Sequence, residues 1–138
     1  MKDYSFSNDL LNLAINLQNF CQGSSSKELN KEIFSIKFKI LFLIKKYEKV
    51  SPKILCKKLN MAKSNVALFC KQLLNENLII STTDDIDRRV IYYCLTSQGV
   101  KYVCKFLNLL NNHICQTLEQ NKLKDIEKNI NTLNELFD

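Results

Sequence analysis

Two adjacent residues, Arg88 and Arg89, are the only arginines in a chain whose other Lys/Arg positions are all lysine. A guanidinium sheds water more easily than an ammonium and forks between two acceptors, which suits a narrow A·T minor groove. Asp87 stands beside them, placed either to orient Arg89 or simply to tie the local turn together. Upstream, eight lysines and one acid, Glu48, lie between Lys45 and Lys71, a local charge of +7 within a net charge of +6. The rest of the chain therefore sums to −1. Basic charge confined to one stretch is the footprint of a phosphate-backbone binder, although a solvated lysine-rich face has the same composition. Within it, Lys57, Lys58 and Lys71 are of the type that pairs with phosphate. Lys63, Ser64, Asn65 and Ala67 form a tighter group at the start of a helical pattern. There lysine can reach a guanine or a phosphate, asparagine an adenine edge, and alanine a thymine methyl.

Other chemistries find little support. The sequence holds no nucleophile–base pair, carboxylate dyad or glycine-rich phosphate loop, so no enzyme and no cofactor are expected. Six cysteines are present, at Cys21, Cys56, Cys70, Cys94, Cys104 and Cys115, with no CxxC pair. The one histidine, His113, has only Cys115 nearby, and residues two apart on a helix point in different directions, so no metal site is expected. No amino-terminal targeting pattern is visible, and no apolar run, Ile40 to Ile44 included, is long enough to span a bilayer. A cytoplasmic chain without a membrane partner follows, and its cysteines should be thiols. Cys56, Cys70, Cys94 and Cys104 fall on apolar stripes as small hydrophobes. Cys21 is the candidate for a thiol-based redox sensor.

The elements that must position these residues are mostly helical. A chain of 138 residues with 46% hydrophobic residues can bury one core, and two glycines and one proline leave few tight turns. Phe6, Leu10, Leu13, Ala14, Leu17 and Cys21 recur at helical spacing, and Gly23-Ser24-Ser25-Ser26 ends that helix. A second helix is predicted from about Glu28 or Asn30 to Tyr47, apolar almost all round and therefore central. Ser51-Pro52 reads as an N-cap followed by proline at the first helical position. The helix it opens runs to Leu59. Asn60-Met61-Ala62 is a short break before a further helix from Lys63 to Asn77. Two runs rich in β-branched and aromatic residues, 78–83 and 90–95, then flank a charged tip and predict a hairpin. Thr96 caps a long helix with Val100, Val103, Cys104, Leu107, Leu110, Ile114 and Leu118 on one stripe. Leu123, Ile126, Ile130, Leu133 and Phe137 mark a last helix.

Two helices across a three-residue turn, followed by a hairpin, make a winged helix-turn-helix. At this point the residues resemble the MarR family of transcriptional regulators. Leu55 to Ser64 is similar to the family's "LAxxLgisks" segment, Leu78-Ile79 to its "GLI", and Asp87-Arg88-Arg89 with Leu95-Thr96-Ser97-Gln98-Gly99 to its "DxR…LTxxG" signature. Departures are Cys56 for a usual alanine, and Asn60 and Asn77 for usual glycines. Ala67 and Leu68 replace a frequent hydroxyl and arginine, and Ser81 replaces an arginine early in the first strand. The likeness covers the second half of the chain well and the first thirty residues hardly at all.

The resemblance implies a mostly α fold with a small β-hairpin wing, flanked by N- and C-terminal dimerisation helices. Residues 1–29 and 97–138 would dimerise and 30–96 would form the DNA-binding lobe, giving a homodimeric repressor on an inverted repeat in double-stranded DNA. It also implies that Arg89 enters the minor groove with Asp87 orienting it, and that a small-molecule effector, unidentified, sits between dimer helices and lobe. The alternatives are a redox-sensing regulator of the same fold and a winged-helix protein-interaction module without specific DNA binding.

Overall fold

The computed structural model describes residues 2–138. Helix α1 (Ser5–Gln22) is followed by α2 (Lys27–Glu32), α3 (Ile36–Tyr47), α4 (Pro52–Leu59) and α5 (Lys63–Asn75). Strands β1 (Ile79–Thr83) and β2 (Ile91–Leu95) then precede α6 (Ser97–Thr117), a single 3-10 turn at Gln120–Lys122 and α7 (Leu123–Asn134). The expected winged helix-turn-helix with flanking helices is present.

One expected helix is in fact two. The apolar segment predicted to run unbroken to Tyr47 divides between α2 and α3, and Ser35 is the reason. Its hydroxyl accepts from the Phe38 N–H at 3.1 Å and donates to Glu32 at 3.1 Å. A serine that satisfies backbone and neighbour in this way competes with helix continuation and restarts the helix as an N-cap. The other caps agree with the sequence. Ser51 caps α4 with Pro52 in its first turn, and Thr96 caps α6 by accepting from the Gly99 N–H at 3.0 Å.

Asn60 and Asn77 both take positive φ, 51° and 58°. Each closes its helix with a paired backbone return. Leu78 N–H reaches Leu73 O at 3.0 Å, and Asn77 N–H reaches Leu74 O at 3.1 Å. Asparagine substitutes for glycine here because its short polar side chain tolerates the left-handed conformation. Glu48, with φ 68°, is a third such residue and was not legible from sequence. It turns the chain so that Val50 bridges to Tyr93 of β2, with backbone bonds of 3.1 and 2.8 Å.

The core is built on α3. Ile40, Leu41 and Ile44 are fully buried among Leu29, Leu55, Val66, Cys70, Leu73, Ile79 and Val103. Phe38 meets Phe106 edge to face at 5.7 Å. The stripe expected of α6 is largely the inward one, with Val103 buried and Leu107 and Leu110 packed against the core. Val103, Phe106 and His113 face the interior, while Val100 is 42% exposed. Neither α1 nor α7 buries any residue. Leu10, Leu13 and Leu17 of α1, Ile130 and Leu133 of α7, and Phe137 just beyond α7 stand open to solvent. What holds α1 to the rest is its C-terminal end, where the Phe20 carbonyl sits 2.8 Å from His113 Nε2 and the two rings lie 4.7 Å apart. The lone histidine is thus a packing and hydrogen-bonding residue, a role its sequence position did not reveal.

Candidate nucleic-acid interface

Helix α5 divides cleanly into two faces. Val66, Cys70 and Leu73 point into the core, while Lys63, Ser64, Asn65, Ala67 and Lys71 are exposed. Burial of the first set leaves the second facing outward as one surface. Ala62 occupies the N-cap with no side-chain hydrogen bond. The first-turn amides of α5 therefore lack a side-chain acceptor, and the positive end of the helix dipole adds to Lys63. An anion or a base edge is what such a surface can receive.

The wing carries the second group. β1 and β2 pair antiparallel from Ile79 opposite Leu95 to Thr83 opposite Ile91. Their loop is pinned from within, since Asp84 Oδ2 accepts from the Asp87 N–H at 3.1 Å and the Val90 N–H reaches Asp87 O at 3.0 Å. Arg89 donates to Asp87 through Nε at 3.1 Å and Nη2 at 3.3 Å, and Asp87 Oδ1 also accepts the Arg89 N–H at 3.1 Å. The guanidinium and backbone N–H of Arg89 hold the Asp87 carboxyl below the ordinary carboxylate range. Yet the Arg89 side chain is 92% exposed. A forked arginine presented to water by a fixed carboxylate is oriented outward from the hairpin. Arg88 is exposed beside it. Ile86, which the sequence reading passed over, is 96% exposed at the same tip.

The lysines do not form one uniform face. Lys57, Lys63 and Lys71 are exposed. Lys58 instead reaches the far end of the chain, donating to Phe137 O at 3.1 Å and lying 3.9 Å from Asp138. Lys46 pairs with Asp138 at 3.3 Å. Lys49, absent from the sequence-derived set, lies 4.8 Å from the centroid of Tyr92 at the base of the wing. It joins the turn before α4 to the hairpin.

The cysteines are free and dispersed. Burial pushes the Cys21 thiol up, which lowers its thiolate fraction. Cys70 is pushed up to about 11 by burial, with the neighbouring Cys56 adding to the shift. Among the described residues no group of three or more His, Cys, Asp and Glu could hold a metal ion. No helix among them is long and apolar enough to cross a membrane.

Two helices across a short turn and an arginine-tipped hairpin on one lobe, with long helices at both ends, define a winged helix-turn-helix fold. Residues 36–91 match the model of the MarR family. Solved structures with the same fold include the regulator Tm0710 of Thermotoga maritima, 22% identical over 97% of this chain and 94% of that one, TM-score 0.66. Apo MarR of E. coli is 15% identical over 91% and 94%, also with TM-score 0.66. FabT of Streptococcus pneumoniae, solved in complex with DNA, is 20% identical over 98% and 97%, TM-score 0.59. No curated protein matches the chain. The chain therefore has the winged helix-turn-helix fold of these structures, and its residues 36–91 are similar to the MarR family.

Proposed function

We propose that the chain is a cytoplasmic homodimeric repressor that binds an inverted repeat in double-stranded DNA. The observation that carries this reading is the outward presentation of Arg89 by Asp87 on the same lobe as the exposed first turn of α5. Residues 30–96 form the DNA-binding lobe, and 1–29 with 97–138 supply the dimer contacts. Exposed apolar stripes on α1 and α7 support the dimer, because a second copy would remove them from water. Half-sites should then lie about one helical turn, roughly 10–10.5 bp, or a multiple of it apart. An apolar cavity of about 280 Å³, lined by Ile33, Phe34, Phe38, Phe42, Phe106 and Leu110, is the place for a small-molecule effector. The redox-sensing alternative loses ground at Cys21, whose thiol is raised by burial.

Selection of bound fragments from the host's own DNA tests the reading directly. The wild type should enrich a single inverted repeat, and enrichment no different from random DNA would sink the proposal. Arg89→Ala should weaken binding to the enriched site about tenfold, since a minor-groove arginine contact is worth roughly 1–3 kcal/mol. The thermal midpoint should stay within about 2 °C, because the pair is exposed and contributes little to folding. A variant that unfolds readily instead makes Arg89 a structural clasp. A winged-helix protein-interaction module with an apolar interface would weaken much less with salt, where the DNA-binding reading requires a steep decline.

Asn65 and Lys71 separate reading from positioning. Asn65→Ala should relax preference at one operator position by roughly 1–3 kcal/mol. Lys71→Ala should lower affinity for all sequences alike and flatten the salt slope by about one unit. Competition binding against operator and random duplexes across a salt series distinguishes them. Equal losses on both duplexes for Asn65→Ala would remove it as the reading residue.

A further inference from the structure

Helix α5 can present its face to a fixed position only if its far end is held in orientation as well as in place. One anchor is plain. Thr96 Oγ1 donates to Asn77 O at 2.7 Å and the Thr96 N–H reaches Leu78 O at 3.0 Å, so the chain leaving α5 is pinned to the start of α6. A single anchor fixes a point but leaves rotation about it. A second set of contacts lies alongside. Glu76, the C-cap of α5, accepts from Lys37 Nζ of α3 at 2.8 Å. The same ammonium stands 4.8 Å from the ring centroid of Tyr102, one turn further along α6. The Tyr102 hydroxyl donates to Glu32 Oε1 at the end of α2, and Glu32 also accepts from Ser35, the N-cap of α3. Burial and the carboxylates of Glu32, Glu76 and Glu28 push the Tyr102 phenol above its ordinary range, so it stays a donor. Four helices meet in one chain of polar contacts.

We infer that Lys37 and Tyr102 are positioning residues for DNA recognition, linking the end of α5 through Glu76 and Glu32 to α2, α3 and α6. The inference rests on the DNA-binding dimer proposed above. The core contacts of α5 are apolar, and the attraction behind them is non-directional. The polar chain is directional, and α6 runs on toward the proposed dimer contacts. It therefore sets the angle between recognition helix and dimer axis, and with it the distance between the two recognition helices.

Tyr102→Phe is the clean probe, because it removes one hydroxyl and leaves charge and ring in place. Loss of one hydrogen bond of about 1 kcal/mol corresponds to about a fivefold change. The variant should bind the selected operator about fivefold more weakly, bind random duplex as the wild type does, and accept half-site spacings one base pair longer or shorter. Glu76→Gln should do the same, and the double variant should lose no more than either alone, since both break one chain. Hydrogen exchange at the amides of 74–78 should rise about fivefold in Tyr102→Phe, whether or not DNA is present. Equal loss on operator and random DNA, or an unchanged spacing preference, overturns the inference. Unchanged exchange at 74–78 overturns it without reference to DNA. If the wild type selects no site at all while exchange still rises in the variant, the DNA-binding reading fails and the linkage at α5 survives.

Discussion

Gly99→Ala is expected to cost about 3 kcal/mol of stability and to lower the thermal midpoint by about 10 °C. A Cβ at this position would lie 2.1 Å from Leu78 O and 3.3 Å from Leu95 Cδ2. The first obstacle is backbone, and that carbonyl already accepts the Thr96 N–H at 3.0 Å. Relief therefore requires α6 to move away from the exit of α5, which strains the cap and the wing together. Alanine would ordinarily favour a helix by about 1 kcal/mol over glycine. The clash outweighs it. Ser97→Ala, exposed in the same first turn, should change stability by less than about 0.5 kcal/mol and serves as the control. Thermal unfolding of the two variants side by side checks the prediction, and equal midpoints would show that α6 does not approach so closely.

The second large effect concerns assembly. Leu10→Asp places a charge on the solvent-exposed apolar stripe of α1, where Leu10 is 52% exposed. The protomer should keep its helical content and its lobe. Sedimentation should show monomer at micromolar concentration, and operator affinity should fall about 100-fold or more because two linked half-site contacts become one. A wild-type protein that is itself a stable monomer at that concentration would refute the dimer. A variant that unfolds would show instead that α1 belongs to the core of its own chain.

Much of this arrangement is visible in the residues alone. Periodicity locates α1, α4, α5 and the hairpin within a residue or two, and α4 and α5 also end on asparagines that take the left-handed turn. Ser51-Pro52, Asn60, Asn77 and Thr96 act locally, and local chemistry is what a sequence displays. The break at Ser35 is also local, but the continuous apolar run around it hides the serine's capping role. The facing of α6 is different in kind. Val100 and Phe106 are both apolar, and the burial of Phe106 depends on packing against residues such as Phe38, 68 residues earlier. Of the basic residues, the pairing of Arg89 with Asp87 was implied by the family resemblance. The involvement of Lys58 with Phe137 and Asp138, and of Lys49 with Tyr92, depends on contacts far apart in the chain.

The bare flanks of α1 and α7 have a consequence for how the protein would respond to its own abundance. If two copies must meet before either half-site is held firmly, the working species grows as the square of chain number when copies are scarce. Halving expression would then cut occupancy of the operator about fourfold in that regime, not twofold. A gene controlled this way would switch over a narrower range of regulator level than a monomeric reader allows. Dilution at cell division, with no chemical signal, would begin to release it.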